Sequence, residues 1–140
     1  MIHKDLITFF TTTTYVASVQ PLIANRMHYG RVPEKQANVF PRLFFERSNH
    51  EDFADIDGTK GNYIEDTFNL EVISNQSSDL DIVSDKIWED VNLYYGAVSS
   101  DVTVKGIFIE DQRDDYEPKG IGGDLGLDVA SFQMRVVYSN

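Results

Sequence analysis

The chain contains no cysteine. That excludes a disulfide framework, a thiolate nucleophile and a zinc–thiolate centre, and it removes the usual clue to redox compartment. Bases are scarce as well: 12 lysines and arginines face 23 aspartates and glutamates, leaving a net charge of −11. A surface of that sign repels nucleic acid and anionic membrane rather than binding them. The three histidines, His3, His28 and His50, lie far apart without partners at i+4. They read as surface or half-buried structural residues, not as ligands or general bases. No apolar run approaches the roughly 18 residues that a membrane span needs. The opening Ile-His-Lys-Asp-Leu has no long apolar core of the kind a secretory leader carries, so a protein made and kept in a cytoplasm is expected. Asn75-Gln76-Ser77 fits the glycosylation sequon, read as coincidence in the absence of a leader.

What is present is enough for a globular domain. With 140 residues, 41% of them hydrophobic, one domain over 1–140 is expected to bury roughly two thirds of its unfolded surface. The clearest pattern runs from Asn62 to Tyr95. Ile64, Asp66, Phe68, Leu70 and Val72 alternate with Glu65, Thr67, Asn69 and Glu71, the period of a strand with one buried face. After Ser74 the period changes. Leu80, Val83, Ile87 and Val91 recur at spacings of three and four, which predicts an amphipathic helix. Ser77 or Ser78 is the expected N-cap, and Gly96 the expected helix end. Stability is expected to rest on Phe68, Leu70, Ile87 and Val91.

The flanking segments complete an order of α-(β)-β-β-α-β-β. An N-terminal helix puts Leu6, Phe9 and Phe10 on its core face, Thr11–Thr14 should break it, and Pro21 can open a second helical turn. Arg26–Gly30 is a short strand or extended segment. Pro41–Ser48 predicts a strand with proline at its first position. Asp101–Asp111 predicts another, with Gly106 as a bulge, and Leu127–Tyr138 a long half-exposed final strand. Residues 49–61 and 112–124 read as long polar loops. Alternating strands imply a mainly antiparallel β-sheet with helices packed on one face, an α+β fold.

Chemistry is harder to find. Asp52, Asp55, Asp57 and Gly58 invite a calcium-loop reading, but aligning the glycine to its place puts Phe53 first and Ile64 twelfth, where acids are required. Asp111, Asp114, Asp115 and Glu117 form a second acidic cluster with no apolar pocket to raise one carboxyl group. Gly120, Gly122 and Gly123 lack the lysine and serine or threonine of a phosphate loop. No catalytic, cofactor or metal residue is assigned, and no enzyme activity is expected. The two loops become the candidate interface: Asn49, Glu51, Asp52, Asp55, Asp57 and Lys60 in one, Arg113, Asp114, Asp115, Tyr116, Glu117 and Lys119 in the other. Long loops in small domains are usually functional. The final strand is expected to offer an edge for pairing with another subunit.

The order of features resembles the tail-completion, or tail-terminator, proteins of long-tailed bacteriophages and prophages. The resemblance spans nearly the whole chain and is one of pattern. An N-terminal helix leads into Val19–Met27 and then Arg31-Val32-Pro33-Glu34. Phe40–Phe45 follows, then a loop with Asp57-Gly58 before a strand ending Phe68–Val72. The helix with Ile82–Ile87, the acidic loop with Asp115–Pro118 and the strand Val129–Tyr138 close the pattern.

The resemblance implies a non-catalytic virion assembly protein: a small α+β subunit forming a hexameric ring that caps the tail tube and joins it to the head-side connector. Its implied partners are copies of itself, the tail tube protein and the connector or neck protein. DNA would pass through the ring without being specifically bound, and no membrane is involved. The implied location is the tail or neck of a virion, assembled in the host cytoplasm. Two alternatives remain beside it: another neck component, such as a head-completion or adaptor protein, and an acidic calcium-binding or enzymatic module.

Overall fold

The computed structural model describes residues 2–16, 18–30, 39–53, 63–117 and 126–139. Helix α1 spans Ile2–Thr11 and buries Ile2, Leu6, Phe9 and Phe10. It stops in the threonine run, as expected. The hydroxyls of Thr11 and Thr12 donate to the carbonyls of Ile7 and Thr8, at 2.6 and 2.8 Å, satisfying acceptors that the next turn would otherwise use. Pro21 lies in the first turn of the four-residue α2, Gln20–Ile23. Arg26 then donates to the Leu22 carbonyl at 3.1 Å and to the Pro41 carbonyl at 2.8 Å. One side chain therefore ties the end of α2 to the start of the sheet.

Six strands follow: β1 Met27–Tyr29, β2 Arg42–Phe53, β3 Tyr63–Ser74, β4 Gly96–Ala97, β5 Thr103–Glu117 and β6 Leu127–Ser139. They form one sheet in the order β1-β2-β3-β6-β5-β4. All pairings are antiparallel except β1 with β2. The α+β class and the mainly antiparallel sheet hold. The expectation for the last strand does not: β6 pairs with β3 on one side and β5 on the other, so it is central, not an edge. Its alternation reflects one face on the core, with Ala130, Phe132, Met134 and Val136 buried.

Between β3 and β4, helix α3 covers Ser77–Lys86 and passes into a π-helical turn, Ile87–Val91. Leu80, Val83, Ile87 and Val91 are buried, as their spacing predicts. Both helix ends differ from expectation. Gln76 is the N-cap, in extended conformation, and its N–H is satisfied by the Ser74 hydroxyl at 3.1 Å; both expected capping serines lie inside the helix. The helix also ends before Gly96, because its last residues bond to the sheet instead. Asn92 Oδ1 accepts the Ile109 N–H at 2.9 Å, and the Leu93 N–H donates to the Ile107 carbonyl at 2.7 Å. Leu93 takes a left-handed φ of 67° to do so.

The helices share one hydrophobic core with the sheet. Phe45, Phe68, Leu70, Met134 and Ile107 come from the sheet, Leu6 and Phe9 from α1, and Ile87 and Val91 from the π turn. Phe68, Leu70, Ile87 and Val91 are each fully buried, as expected of the stabilising set. Gly106 flanks the predicted bulge, which falls between Val104 and Gly106. A Cβ there would come within 2.8 Å of the Phe108 ring, so the close approach of that ring requires glycine.

Candidate functional site

The described parts of the two segments read as loops, 49–53 and 112–117, are strand. Asn49, Glu51 and Asp52 lie in β2, paired across to Thr67, Glu65 and Ile64. Arg113, Asp114, Asp115, Tyr116 and Glu117 lie in β5, paired across to β6 from Ser131 to Leu127. Asp55, Asp57, Lys60 and Lys119 lie outside the described residues. The calcium-loop reading therefore has Asp52 in a strand and its other acids outside the description.

These strands are arms of two hairpins that leave the sheet at opposite ends. The β2–β3 arm ends beside the C-terminal end of β6, since Tyr63 pairs with Ser139. The β5–β6 arm ends at the other extreme, where Ser74 pairs with Asp128. Twelve residues of strand separate the two levels, roughly 40 Å at the usual rise. The fold sets the two candidate interface segments a sheet's length apart.

Each arm also has one side without a strand partner among the described residues. β1 covers β2 only from Leu43 to Phe45, leaving Glu46–Phe53 open. β4 and the Asn92–Tyr94 segment cover β5 through Ile109, and Trp88 reaches Gln112 with a 2.7 Å bond from its indole N–H. Beyond that, β5 is open. Arg113 and Asp115 pair side by side at 3.6 Å, and the Gln112 amide donates to Asp114 at 3.0 Å. Both strands carry bulges, β2 between Arg47 and Asn49 and β5 between Glu110 and Arg113. Asp111 in the second takes a φ of 54°.

At the base of the first arm, Asp66 is a buried charge. Its alternation with Ile64 and Phe68 put it on the core face, and it is fully buried there. One carboxylate oxygen faces His50 Nδ1, and the other accepts the Tyr138 hydroxyl at 2.7 Å. Arg47 stands 4.0 Å away, and His50 Nε2 lies 3.5 Å from Asp52. The centre joins β2, β3 and β6 at the base of the first arm. Sequence reasoning missed it because the partners of His50 lie across strands, not at i+4. A cavity of about 160 Å³ lies beside it, lined by Ile2, His3, Tyr29, Arg47, Phe68 and Tyr138. His3 stacks on Tyr29 at 4.2 Å; burial first, then the N-terminal amine and Lys4, hold its pKa below the ordinary value.

Burial, and behind it the bond to Asp66, raises the Tyr138 phenol well above its ordinary value. The folded state thus favours the protonated phenol. Its contribution is complete below the unfolded value near 10 and is lost as pH climbs from there toward the folded value. Tyr138→Phe removes this titration. Urea midpoints measured from about pH 9 to 11.5 should then fall less steeply for the variant than for the parent chain.

The sheet face opposite the helices bears acids: Glu46, Glu65, Glu71 and Glu110 alternate with the core-facing residues of their strands. Arg135 lies among them, 3.6 Å from Glu65 and 3.1 Å from Glu110, with its guanidinium over the Phe108 ring. Among the described residues, no helix is long and apolar enough to cross a membrane.

Neither a protein-family model nor a curated protein matches this sequence. The fold is shared with a chain in the solved virion of a native gene transfer agent particle. That match covers 86% of this chain and 83% of the other, with a TM-score of 0.53 and 12% identity. At that identity the likeness establishes the fold.

Proposed function

We propose that this protein is a structural component of a phage-like virion, and within that class a tail-completion subunit that forms a ring on the tail tube and joins it to the head-side connector. The observation that carries the reading is the fold shared with a virion chain over 86% of this sequence. The order of sequence features points the same way. A structural role suits the buried centre: the Asp66 carboxylate is buried and held by His50 and Tyr138. Arms at opposite ends of the sheet suit a subunit that meets different neighbours above and below. The acidic open face, with Glu46, Glu65, Glu71 and Glu110, suits a bore through which DNA passes without sticking, because like charges repel.

Images and native mass of the purified protein, alone and mixed with tail tubes or with connector, test this. A ring of copies captured by tail tubes is the expected result. Capture by the connector alone would favour a head-completion or adaptor role. A chain that remains monomeric with both would overturn the proposal. In the ring, the open face should line the bore; carboxylates confined to the outer rim would remove the channel argument.

A further inference from the structure

We infer that the open side of β5 from Gln112 to Tyr116 pairs antiparallel with the open side of β2 from Arg47 to Asp52 in a second copy of this chain. The inference rests on the proposed self-assembly and names its contact. In the sheet, β2 and β5 run in opposite directions: β2 is antiparallel to β3, β3 to β6, and β6 to β5. Two copies side by side in the same orientation therefore bring one copy's β5 against the next copy's β2 in antiparallel sense. Such a contact joins different patches head to tail, as a ring requires.

Directly opposed residues in a continuous sheet must share a face, and this restricts the register. On β2, Arg47, His50 and Asp52 lie toward the helices and Asp66, with Ser48 displaced by the bulge; Asn49 and Glu51 lie on the open face. On β5, Gln112 lies toward the helices with its bond to Trp88, as does its partner Asp114. Arg113 and Asp115 lie on the open face. One alignment sets Arg113 against Glu51, Asp114 against His50, Asp115 against Asn49 and Tyr116 against Arg47. Its favourable contacts are an ion pair, a carboxylate on an amide, and a cation over an aromatic ring; both His50 nitrogens already face Asp66 and Asp52, so Asp114 adds no bond there. Over these four pairs it opposes no like charges, and the next pair, Glu117 against Glu46, is its one like-charged contact. Sliding two residues one way sets Asp114 on Asp52 and Asp115 on Glu51. Sliding two the other way sets Asp115 on Glu46 and Asp111 on Glu51. Like charges directly opposite are destabilising, so the first register, with one such pair against two in each of the others, is the most complementary.

The pairing residues are available. Arg113 and Asp115 side chains are 80% and 57% exposed, and Arg47 is 45% exposed. In this register each copy is shifted along the strands relative to the next. Arg113 sits level with Ser131 of β6, whereas Glu51 sits level with Glu65 and so with Val137. The shift is roughly 20 Å, and a closed ring absorbs such a stagger as strand tilt.

The test is charge reversal with rescue. R113E and E51R are each expected to weaken self-association by about tenfold or more, since like charges brought together at an interface repel. The double variant R113E/E51R should recover most of the loss. Self-association is read by sedimentation velocity, and circular dichroism confirms that each variant folds. Amide exchange in the assembled protein should slow in 112–116 and 47–52 together. A ring that forms undiminished in both single variants, without that protection, overturns this contact while leaving the ring itself standing. A parent chain that stays monomeric even with tail tubes present overturns both.

Discussion

Asp66→Ala is expected to cost the folded state about 3 kcal/mol, the lower end of the range for breaking a buried charged pair. The carboxylate is fully buried and accepts from both His50 and Tyr138. Alanine would leave two donors facing an apolar wall. The lower end applies because the His50 side chain is 37% exposed and can turn toward water. Asp66→Asn keeps an acceptor oxygen and should lose less. Tyr138→Phe should cost little further in the Asp66→Ala background, because its acceptor is already gone; coupled partners are sub-additive in this way. Urea unfolding of the four proteins closes the cycle. An Asp66→Ala loss below about 1 kcal/mol, or full additivity with Tyr138→Phe, would show that the centre does not act as a unit.

Phe68→Ala is the larger packing change, expected at about 3–5 kcal/mol. Phe68 is fully buried on the strand that carries Asp66. Its ring lies 5.5 Å from that of Phe45 and 6.5 Å from that of Tyr29, centroid to centroid. The existing cavity already borders Phe68, so truncation enlarges a void instead of letting neighbours close over it. Loss of the ring also unseats Tyr29, on which His3 stacks. Calorimetry should show a fall in Tm of about 9–25 °C, at about 3–5 °C per kcal/mol for a domain of this size. Phe68→Leu keeps most of the volume and should fall by much less. Equal losses in the two variants would mean that the aromatic ring, not the filled volume, is what the core requires.

Much of the fold was legible because a buried face leaves a period in the sequence. Ile64, Phe68, Leu70 and Val72 alternate because one side of β3 meets the core, and Leu80, Val83, Ile87 and Val91 follow helical spacing for the same reason. The signal vanishes where the strands outrun the core. Residues 49–53 and 111–116 are exposed throughout, so no alternation marks them, and their polar composition reads as loop. Their hydrogen bonds to β3 and β6 make them strand nonetheless. The same limit hid the site. Parity alone put Asp66 on the core face, but its partners sit in β2 and at the far end of β6, and no local spacing connects them. The early helix end was invisible for a related reason: Asn92 and Leu93 leave the helix to bond to Ile107 and Ile109, a contact made only once the chain has folded back. Position near the C-terminus also gave no hint that β6 would be inserted between β3 and β5.

The opposite-ended arms have a mechanical consequence. If neighbours hold the two tips and pull them apart along the strands, the load enters through β2–β3 at one end and through β5–β6 at the other. Among the described strands, the ladder that joins the two hairpins is β3–β6, which pairs without a break from Tyr63–Ser139 to Ser74–Asp128. Pulled lengthwise, its hydrogen bonds share the load and must slip together, whereas a ladder peeled from one end yields rung by rung. The middle of this sheet is thus oriented to carry tension between the two ends of the subunit.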